Sequence, residues 1–429
     1  MKLSKYNAYR TLKNKDILIY NTLSGGLFIL PKEHAQLINN LEKEKNKKRE
    51  IEYIAKLTAE KYIIDDEIDE LEIIKYQYLL SQYDKDNLNL TICPTMACNM
   101  KCIYCYQDKK PKIMNDDIRR KILTYVKSNI KRIKELNISW FGGEPLLAFD
   151  TISYLSKSFI KLCEKYNVKY NAYIISNGYL LNNETIDNFK KLKINGIQIT
   201  LDGPKEIHDK KRILNNGNGT YDKILENIIL LRDKKFNVNI RINIDKNNYK
   251  YIYELADELN SKKIKGLSIS LGHLQASTEA CKSISSSCFT VGEYLLNQHD
   301  ILKNINKKYP KLFKKSILIS EKQSIYCGAV KINSYAIDAE GYMYKCWNDI
   351  GNKNKSIYRI DNTEDNIMNL VNYLNFNPFK YQDCNNCVAL PICVGGCPYN
   401  NLRNEKIKCT RYNDLIEKYL DSVQDNYKI

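Results

Sequence analysis

The sequence contains no long apolar segment and no recognisable secretion signal. No uninterrupted apolar run approaches the roughly 18 residues of a transmembrane helix, so we expect no membrane partner. The first residues, MKLSKYNAYRTLKNKD, lack the apolar core and the small-residue cleavage site of a signal peptide. We therefore expect a cytoplasmic protein in a reducing compartment, where disulfide frameworks are rare.

Nucleic-acid-binding motifs are also missing, although the chain is basic. The formal net charge is +17, from 67 lysines and arginines against 50 aspartates and glutamates. The lysines are spread along the whole chain, and no zinc-finger, RNP-like or recognition-helix pattern accompanies them. We predict no nucleic-acid partner, and we expect the basic balance to favour an acidic peptide instead.

Cysteine, in contrast, is abundant, with 14 cysteines among 429 residues. A chain of this length can bury an adequate apolar core without covalent cross-links. In a reducing compartment, so many cysteines indicate metal or iron–sulfur ligation rather than disulfide bonds.

Residues 1–86 are predicted to form a small α+β module. Two short apolar strands, 17–21 and 26–31, are joined by a turn that contains Gly25. Apolar residues then recur at helical spacing over 32–45, 49–62 and 65–83.

Residues 87–275 alternate between short apolar strands and amphipathic helices. This alternation implies a parallel sheet with right-handed crossovers, and six such units fit an incomplete barrel or an open doubly wound sheet. Residues 276–429 are rich in cysteine, turns and loops, and a region of that kind needs cross-links, here metal sites. The predicted strands are 88–93, 135–141, 171–176, 196–201, 237–244 and 266–271.

The first cysteine motif directly follows the first predicted strand. Cys98, Cys102 and Cys105 have the spacing C-x3-C-x2-C within CNMKCIYC. Three thiolates on one loop suit a [4Fe–4S] cluster with one iron left without a protein ligand. A structural zinc ion would need a fourth ligand nearby, and we expect Cys93, at the end of the strand, to be buried instead.

Glycine-rich and polar motifs follow the next three predicted strands, at 142–145 (GGEP), 176–178 (SNG) and 201–203 (LDG). In parallel α/β folds, ligands bind at the carboxyl ends of the strands. Glycines there let the backbone approach a ligand, and Glu144 is suited to accept a hydrogen bond from a cationic amine. Together the motifs predict one ligand site at this end of the sheet.

These motifs, CNMKCIYC, GGEP, SNG and ITLDGP followed by HD and R, resemble those of the radical S-adenosylmethionine (SAM) superfamily. The resemblance implies a partial (β/α)6 TIM-type barrel, a [4Fe–4S] cluster on Cys98, Cys102 and Cys105, and SAM on its open iron. It also implies cleavage of SAM to a 5′-deoxyadenosyl radical, and an electron donor such as flavodoxin or ferredoxin. For Asp202, a capping role is an equal alternative to SAM binding. The implied SAM contacts are Gly142, Gly143, Glu144, Ser176, Asn177, Asp202, Arg241 and Asn243.

A second set of cysteines lies near the C-terminus. Its seven thiols are too many for one tetrahedral metal and one too few for two fully ligated cubes, and two zinc ribbons are the alternative. The spacing is similar to that of the SPASM extension of radical SAM enzymes that modify peptides and proteins. That resemblance implies two auxiliary [4Fe–4S] clusters, hence three in all. The first takes Cys327, Cys346 and Cys397, and the second takes Cys384, Cys387, Cys393 and Cys409.

Two positions depart from the anaerobic sulfatase-maturating enzymes, which carry a further cysteine and an aspartate base in this region. Asn333 stands where that cysteine is expected, and Trp347 follows Cys346 in place of the aspartate. The first auxiliary cluster therefore has an open iron or takes Cys281 or Cys288 as its fourth ligand. An open iron would suit capture of a substrate thiolate, and the tryptophan argues against formylglycine formation.

The N-terminal module is similar to the winged-helix-like modules that bind the leader of ribosomal precursor peptides. The sequence thus predicts three domains, 1–86, 87–275 and 276–429. The predicted function is radical SAM/SPASM maturation of a ribosomally made peptide with a leader, most plausibly by forming a thioether from a cysteine. The alternatives are oxidation of a protein Cys or Ser, as in sulfatase maturation, and a non-catalytic iron–sulfur carrier or zinc scaffold. A carrier would not need the GGEP and SNG motifs.

Overall fold

The structure is a computed structural model that describes residues 1–45, 47–107, 111–276, 278–363, 365–402, 409 and 411–426. It confirms the α/β fold with a partial parallel barrel. The helices and strands of the barrel alternate along the chain as predicted. The six barrel strands, numbered here from first to sixth, are Asn87–Ile92, Glu135–Trp140, Lys169–Ser176, Ile194–Thr200, Val238–Ile244 and Ser268–His273. The helices between and after them are Asp116–Asn129, Phe149–Tyr166, Asn183–Lys191, Lys205–Lys211, Tyr221–Asp233 and Ile252–Ser261.

The six strands are parallel neighbours in sequence order, and the sheet continues beyond the first strand. Ser334–Ile337 pairs in parallel with the first strand, and Tyr342–Tyr344 and Tyr358–Arg359 extend that edge antiparallel. The C-terminal region therefore completes one side of the barrel sheet. Its helices are Val291–Lys308, Ile367–Leu374, Gln382–Asn385, Leu390–Cys393, Pro398–Asn401 and Tyr412–Asn426.

The two faces of the barrel sheet differ sharply in polarity. The outer face is apolar and packs under the helices, with residues such as Leu90, Ile138 and Ile240 almost fully buried. Strands of parallel sheets are usually apolar on both faces, but here most inner residues are polar, chiefly amides and hydroxyls with one arginine. These half-buried inner residues include Asn89, Asn137, Asn171, Tyr173, Gln198, Asn239, Arg241, Asn243 and Ser270.

The N-terminal region forms a three-stranded antiparallel sheet followed by helices. The predicted helix over 32–45 is wrong as a single element, because Asn40 adopts φ −155° and ψ 57° and interrupts it. The predicted helix over 65–83 begins only at Glu70, where the Asp69 side chain accepts hydrogen bonds from two backbone N–H groups. The strands of this sheet are Asn7–Thr11, Ile17–Asn21 and Leu27–Leu30, and the helices are Gln36–Asn39, Leu41–Glu44, Ile51–Ala59 and Glu70–Gln82. A separate antiparallel pair joins Lys2–Leu3 to Ile63–Ile64.

The N-terminal region also packs closely on the cysteine-rich region. Tyr6 and Ile74 share a buried cluster with Leu390, against which Cys384 packs. Tyr78 Oη donates a hydrogen bond to the Phe376 carbonyl at 2.7 Å. The two regions thus share part of their apolar cores. Among the described helices, none is long and apolar enough to span a bilayer.

Candidate active site at the carboxyl ends of the barrel strands

The first cysteine loop lies over the carboxyl ends of the barrel strands. Cys98, Cys102 and Cys105 are half-buried, whereas Cys93 is completely buried, as predicted. The loop is held by backbone hydrogen bonds to the segment 211–215, including Lys101 N–H to the Ile213 carbonyl at 2.9 Å. The three thiols are therefore presented on a fixed loop rather than a free one.

A buried network of polar side chains anchors this loop to the barrel. The Tyr104 hydroxyl donates a hydrogen bond to Asp202, and it accepts hydrogen bonds from Arg212 Nη1 at 2.8 Å and Asn243 Nδ2 at 3.3 Å. Asp202 also accepts the Asn243 backbone N–H at 2.8 Å. Burial raises the pKa of Asp202, while the Arg212 cation opposes that rise. The hydrogen bonds of the Asp202 carboxylate thus go to the cluster loop and the fifth strand.

Arg212 belongs to the site. In the sequence it was only the last residue of the motif ITLDGP followed by HD and R, and no role was predicted for it. Its side chain is buried, and its positive charge interacts with the Cys102 thiol and the Glu144 carboxylate. Its Nε–H is buried without a hydrogen-bond partner among the described residues. A buried N–H without a partner is costly, and a carboxylate bound beside the cluster loop would satisfy it. These features fit the SAM carboxylate.

Replacing Tyr104 with Phe should destabilise the protein without changing its packing volume. The loss of the hydroxyl leaves the buried groups of Asp202 and Arg212 short of a partner, which costs about 1–3 kcal/mol. Anaerobic urea unfolding, followed by circular dichroism, measures the change. In the control Tyr154→Phe, the ring is 43% exposed, and we expect a change of no more than about 0.5 kcal/mol. Equal stability of the two variants would contradict this account of the network.

The glycines after the second strand allow close contact with the cysteine loop. A Cβ on Gly142 would lie 2.4 Å from the Thr95 carbonyl oxygen, and one on Gly143 would lie 2.2 Å from that of Ala97. Gly143 N–H also donates to the Thr95 carbonyl, at 3.1 Å. Any side chain at these two positions would push the cysteine loop away.

The Glu144 carboxylate joins the ends of the second and third strands. It accepts hydrogen bonds from Ser176 Oγ at 2.8 Å, Asn177 N–H at 2.7 Å and Leu146 N–H at 3.0 Å. Burial raises its pKa, and these hydrogen bonds oppose the rise. A carboxylate offers about four acceptor positions, so three donors leave one that fits the methionyl amine of SAM.

The other predicted SAM contacts occupy two levels of the barrel. Asn177 lies at the upper level, where its side chain donates to Asn99 of the cysteine loop at 2.7 Å. Asn243 is at the same level through its contact with Tyr104. The backbone of Arg241 lies two residues earlier on the fifth strand, deeper in the barrel, and its side chain donates to Asn243 Oδ1 at 3.1 Å. The roles of these residues in binding SAM remain predictions.

The seven C-terminal cysteines fall into two groups by mutual proximity. Cys346 is within electrostatic range of Cys327 and Cys397, and Cys384 is within range of Cys387, Cys393 and Cys409. Burial raises the pKa of both Cys346 and Cys384 to about 12. These groups have the same members as the two predicted ligand sets. Among the described Cys, His, Asp and Glu side chains, no three are grouped tightly enough to hold a single metal ion, so both ligand sets remain predictions.

Trp347 brings the first of these groups close to the barrel. Its indole ring is 45% exposed and packs on Phe141, with 5.4 Å between ring centroids. Phe141 directly precedes the Gly142–Gly143 pair. The loop of Cys346 thus borders the predicted SAM pocket.

Cys281 and Cys288, the predicted alternative ligands, lie in a small apolar cluster beside the first cysteine loop. They pack with Leu274, Tyr104 and Tyr106. Cys281 is completely buried, and its thiol lies 3.4 Å from the Thr278 carbonyl oxygen.

His208 is held by hydrogen bonds on both ring nitrogens. His208 is completely buried and accepts the Asp202 N–H at 3.2 Å, while its other ring nitrogen lies 3.1 Å from Thr220 Oγ1. Burial lowers its pKa well below the usual value. His208 therefore supports the Asp202 turn.

Comparison with known proteins agrees with this geometry. Residues 92–259 match the family model of the radical SAM superfamily. Over 373 residues the chain is 24% identical to a cysteine-type anaerobic sulfatase-maturating enzyme of Clostridium novyi (strain NT), covering 79% of this chain and 96% of that protein.

Two solved structures share the fold. One is native anSMEcpe with bound AdoMet and Kp18Cys peptide, with a TM-score of 0.61 and 20% identity over 79% of this chain and 99% of that one. The other is Streptococcus suis SuiB bound to precursor peptide SuiA, with a TM-score of 0.56 and 19% identity over 95% of this chain and 99% of that one. The matched model identifies a radical SAM domain at residues 92–259, a domain that supports binding of SAM and a [4Fe–4S] cluster, and the relative and the shared fold extend the similarity to radical SAM enzymes over most of the chain.

Proposed function

We propose that this enzyme matures a ribosomally made peptide by linking a cysteine sulfur to a carbon of the same peptide as a thioether. The observation that carries the proposal is the position of the Cys327, Cys346 and Cys397 group beside the barrel, with Trp347 packed on Phe141. Two fold neighbours are bound to peptides, Kp18Cys and SuiA. The basic charge of this chain suits an acidic peptide partner.

The chain's own residues would divide the work as follows. Cys98, Cys102 and Cys105 would hold the SAM-binding cluster, Glu144 the methionyl amine and Arg212 the carboxylate. When bound and reduced, the cofactors supply a 5′-deoxyadenosyl radical that removes a hydrogen atom from the substrate. The covered barrel mouth would keep water away from that chemistry. An electron donor such as flavodoxin or ferredoxin would reduce the cluster.

The two C-terminal groups would hold two auxiliary [4Fe–4S] clusters. Cys384, Cys387, Cys393 and Cys409 provide four thiolates for one of them. Cys327, Cys346 and Cys397 would provide three for the other, and the Cys281 thiol is completely buried, 3.4 Å from the Thr278 carbonyl oxygen. The fourth position would then be open to a thiolate of the substrate. The thiol proton would leave to water, and the one electron released when the sulfur–carbon bond forms would pass to an auxiliary cluster, which can accept it.

The N-terminal residues 1–86 would recognise the leader of the precursor peptide. Leu27–Leu30 is an edge strand of the three-stranded sheet, and a peptide can add to such an edge as a further strand. A groove of about 660 Å³ lies nearby, lined in part by Leu23, Gly26, Ile63 and Ile64. It offers a place for apolar side chains of the leader.

The test uses full-length enzyme reconstituted anaerobically with iron and sulfide. The substrate is the peptide encoded by a short cysteine-containing reading frame beside the gene. We expect about twelve irons per chain, as three cubes of four, 5′-deoxyadenosine from SAM with dithionite, and a product lighter by two hydrogens whose cysteine resists alkylation. A chain that binds only about four irons, or a product that keeps a free thiol, would contradict the proposal.

A second candidate function is oxidation of a protein Cys or Ser, as the relatives named for sulfatase maturation suggest. It would need a carboxylate base near Cys346, where Trp347 replaces the expected aspartate. Asp349 is the nearest alternative, because it is buried beside Cys346 and accepts the Tyr373 hydroxyl at 2.7 Å. The same assay separates the two functions, since formylglycine loses the cysteine sulfur and a thioether keeps it.

A further inference from the structure

We infer that Arg241 binds a carboxylate of the substrate, so that the peptide segment entering the barrel carries an acidic residue close to the reacting one. The inference deepens the proposed function by naming a feature of the substrate. It differs from the sequence-based expectation that Arg241 contacts SAM. Its basis is the position and the surroundings of the guanidinium.

The inner face of the barrel sheet is built to hold a polar ligand. Its amide side chains hydrogen bond to one another across strands, as from Asn171 to Asn137 at 2.9 Å and from Asn239 to Ser270 at 3.0 Å. These side chains are half-buried rather than packed under another layer. A peptide backbone, with its many donors and acceptors, is a suitable ligand for such a surface.

Arg241 is the cation of this face and has no anionic partner in the described part of the chain. Its side chain makes one hydrogen bond, from Nε to Asn243 Oδ1 at 3.1 Å. It forms no ion pair with a described carboxylate, unlike Lys211, which is buried with Asp245 at 2.7 Å. The two terminal nitrogens of Arg241 therefore remain available, and they form the fork that binds a carboxylate best.

Gly272 provides the space in which the guanidinium lies. A Cβ at that position would stand 2.3 Å from both Nε and Nη2 of Arg241, and 2.4 Å from Asn243 Oδ1. Gly272 pairs in register with Asn243 on the neighbouring strand. The glycine and the asparagine together fix the direction of the arginine, which makes the site preorganised rather than a flexible surface charge.

A second guanidinium, that of Arg212, is better placed for SAM. Arg212 is buried, and its charge interacts with that of Cys102 in the cysteine loop, where it would bind the SAM carboxylate. The backbone of Arg241 lies two residues, about 6.6 Å, below that of Asn243, and its guanidinium rises to the level of Asn243 and Gly272. The fork of Arg241 on the inner face of the barrel is therefore left for a carboxylate of the substrate.

The test measures peptide binding to the reconstituted, SAM-loaded enzyme without reductant, so that it does not depend on which bond is formed. The probes are fluorescent Gly/Ser peptides with one cysteine and one Asp, placed within about four residues of it, or roughly 13 Å of extended chain. Matched probes carry Asn instead of Asp. At the best position, wild type should bind the Asp peptide at least about tenfold more tightly.

Two variants should abolish that preference by different routes. Arg241→Gln removes the charge, and Gly272→Ala keeps the charge but displaces the guanidinium. In both, the Asp and Asn peptides should bind within about twofold of each other, and SAM affinity without peptide should be unchanged. The control Arg120→Gln removes a charge from an exposed helix site, where the side chain is 65% exposed, and it should retain the preference.

Three results would overturn the inference. The first is that no Asp peptide binds wild type more tightly than its Asn partner. The second is that Arg241→Gln retains the preference. The third is that either variant loses SAM affinity about tenfold without peptide, which would return Arg241 to the cofactor pocket. If the product assay finds a bond other than a thioether, the thioether proposal is contradicted, but the binding preference for the Asp peptide is unaffected.

Discussion

Replacing Cys102 with Ala should remove about four irons per chain and abolish reductive cleavage of SAM. The other two thiolates cannot hold the cube in place, and without the cofactor the protein has no group that can generate the radical. We expect the rate of 5′-deoxyadenosine formation to fall by about 10³-fold or more, since cofactor-dependent catalysis is lost rather than weakened. Iron analysis and anaerobic chromatography of the nucleoside measure the two effects. The same loss is expected for Cys98 and Cys105.

The matched control is Cys163→Ala. Cys163 lies on the helix Phe149–Tyr166, 1% exposed, within the main apolar cluster. Its replacement should cost about 1 kcal/mol of stability and leave iron content and SAM cleavage unchanged. If Cys102→Ala retains its iron, or if Cys163→Ala loses as much, the assignment of the first cluster is wrong.

The second large effect is expected for Gly143→Ala. The added methyl would meet backbone atoms of Met96 and Ala97 at 2.2 to 2.6 Å, and backbone cannot rotate away as a side chain can. The cysteine loop must therefore move, and with it the cluster and the SAM pocket. We expect SAM cleavage to fall by about 100-fold or more, because small displacements of reacting groups have effects of this size.

The control for this substitution is Gly292→Ala. A Cβ there meets its nearest neighbour at 3.5 Å, which is ordinary contact. Gly292 lies in the helix Val291–Lys308, where alanine is favoured over glycine by about 1 kcal/mol. This variant should be as active as wild type and slightly more stable. Equal activity of Gly143→Ala and wild type would contradict the tight contact between the two loops.

Much of the fold was predictable because alternating apolar segments leave few topologies open. Six strands with helices between them required a parallel sheet, and the structure confirms the partial barrel. Short spacing keeps the three cysteines of CNMKCIYC on one loop, whereas the C-terminal ligand sets were implied by the resemblance and remain predictions. The domain boundaries and the individual SAM contacts remain predictions.

Other features depend on contacts between distant segments, which local patterns do not encode. The Tyr104 hydroxyl meets Arg212 across 108 positions of the chain, and Trp347 meets Phe141 across an even longer separation. The helix break at Asn40 also went unpredicted, because the apolar spacing around it is compatible with one continuous helix. The alternation of polar and apolar residues in strands such as VNIRINI indicates that one face is polar. Which polar residues of neighbouring strands lie side by side depends on the register between the strands, and the sequence does not give that register.

The contacts between the first 86 residues and the cysteine-rich region limit how this enzyme can change its specificity. Tyr78 Oη and Gln82 Nε2 bind carbonyls of Phe376 and Leu374, and Thr22 Oγ1 binds that of Val388. An N-terminal segment taken from another radical SAM enzyme would lack the complementary surface and leave these carbonyls without donors. The first 86 residues therefore cannot be exchanged alone, in evolution or in engineering. The loops from 374 to 390 would have to be exchanged with them.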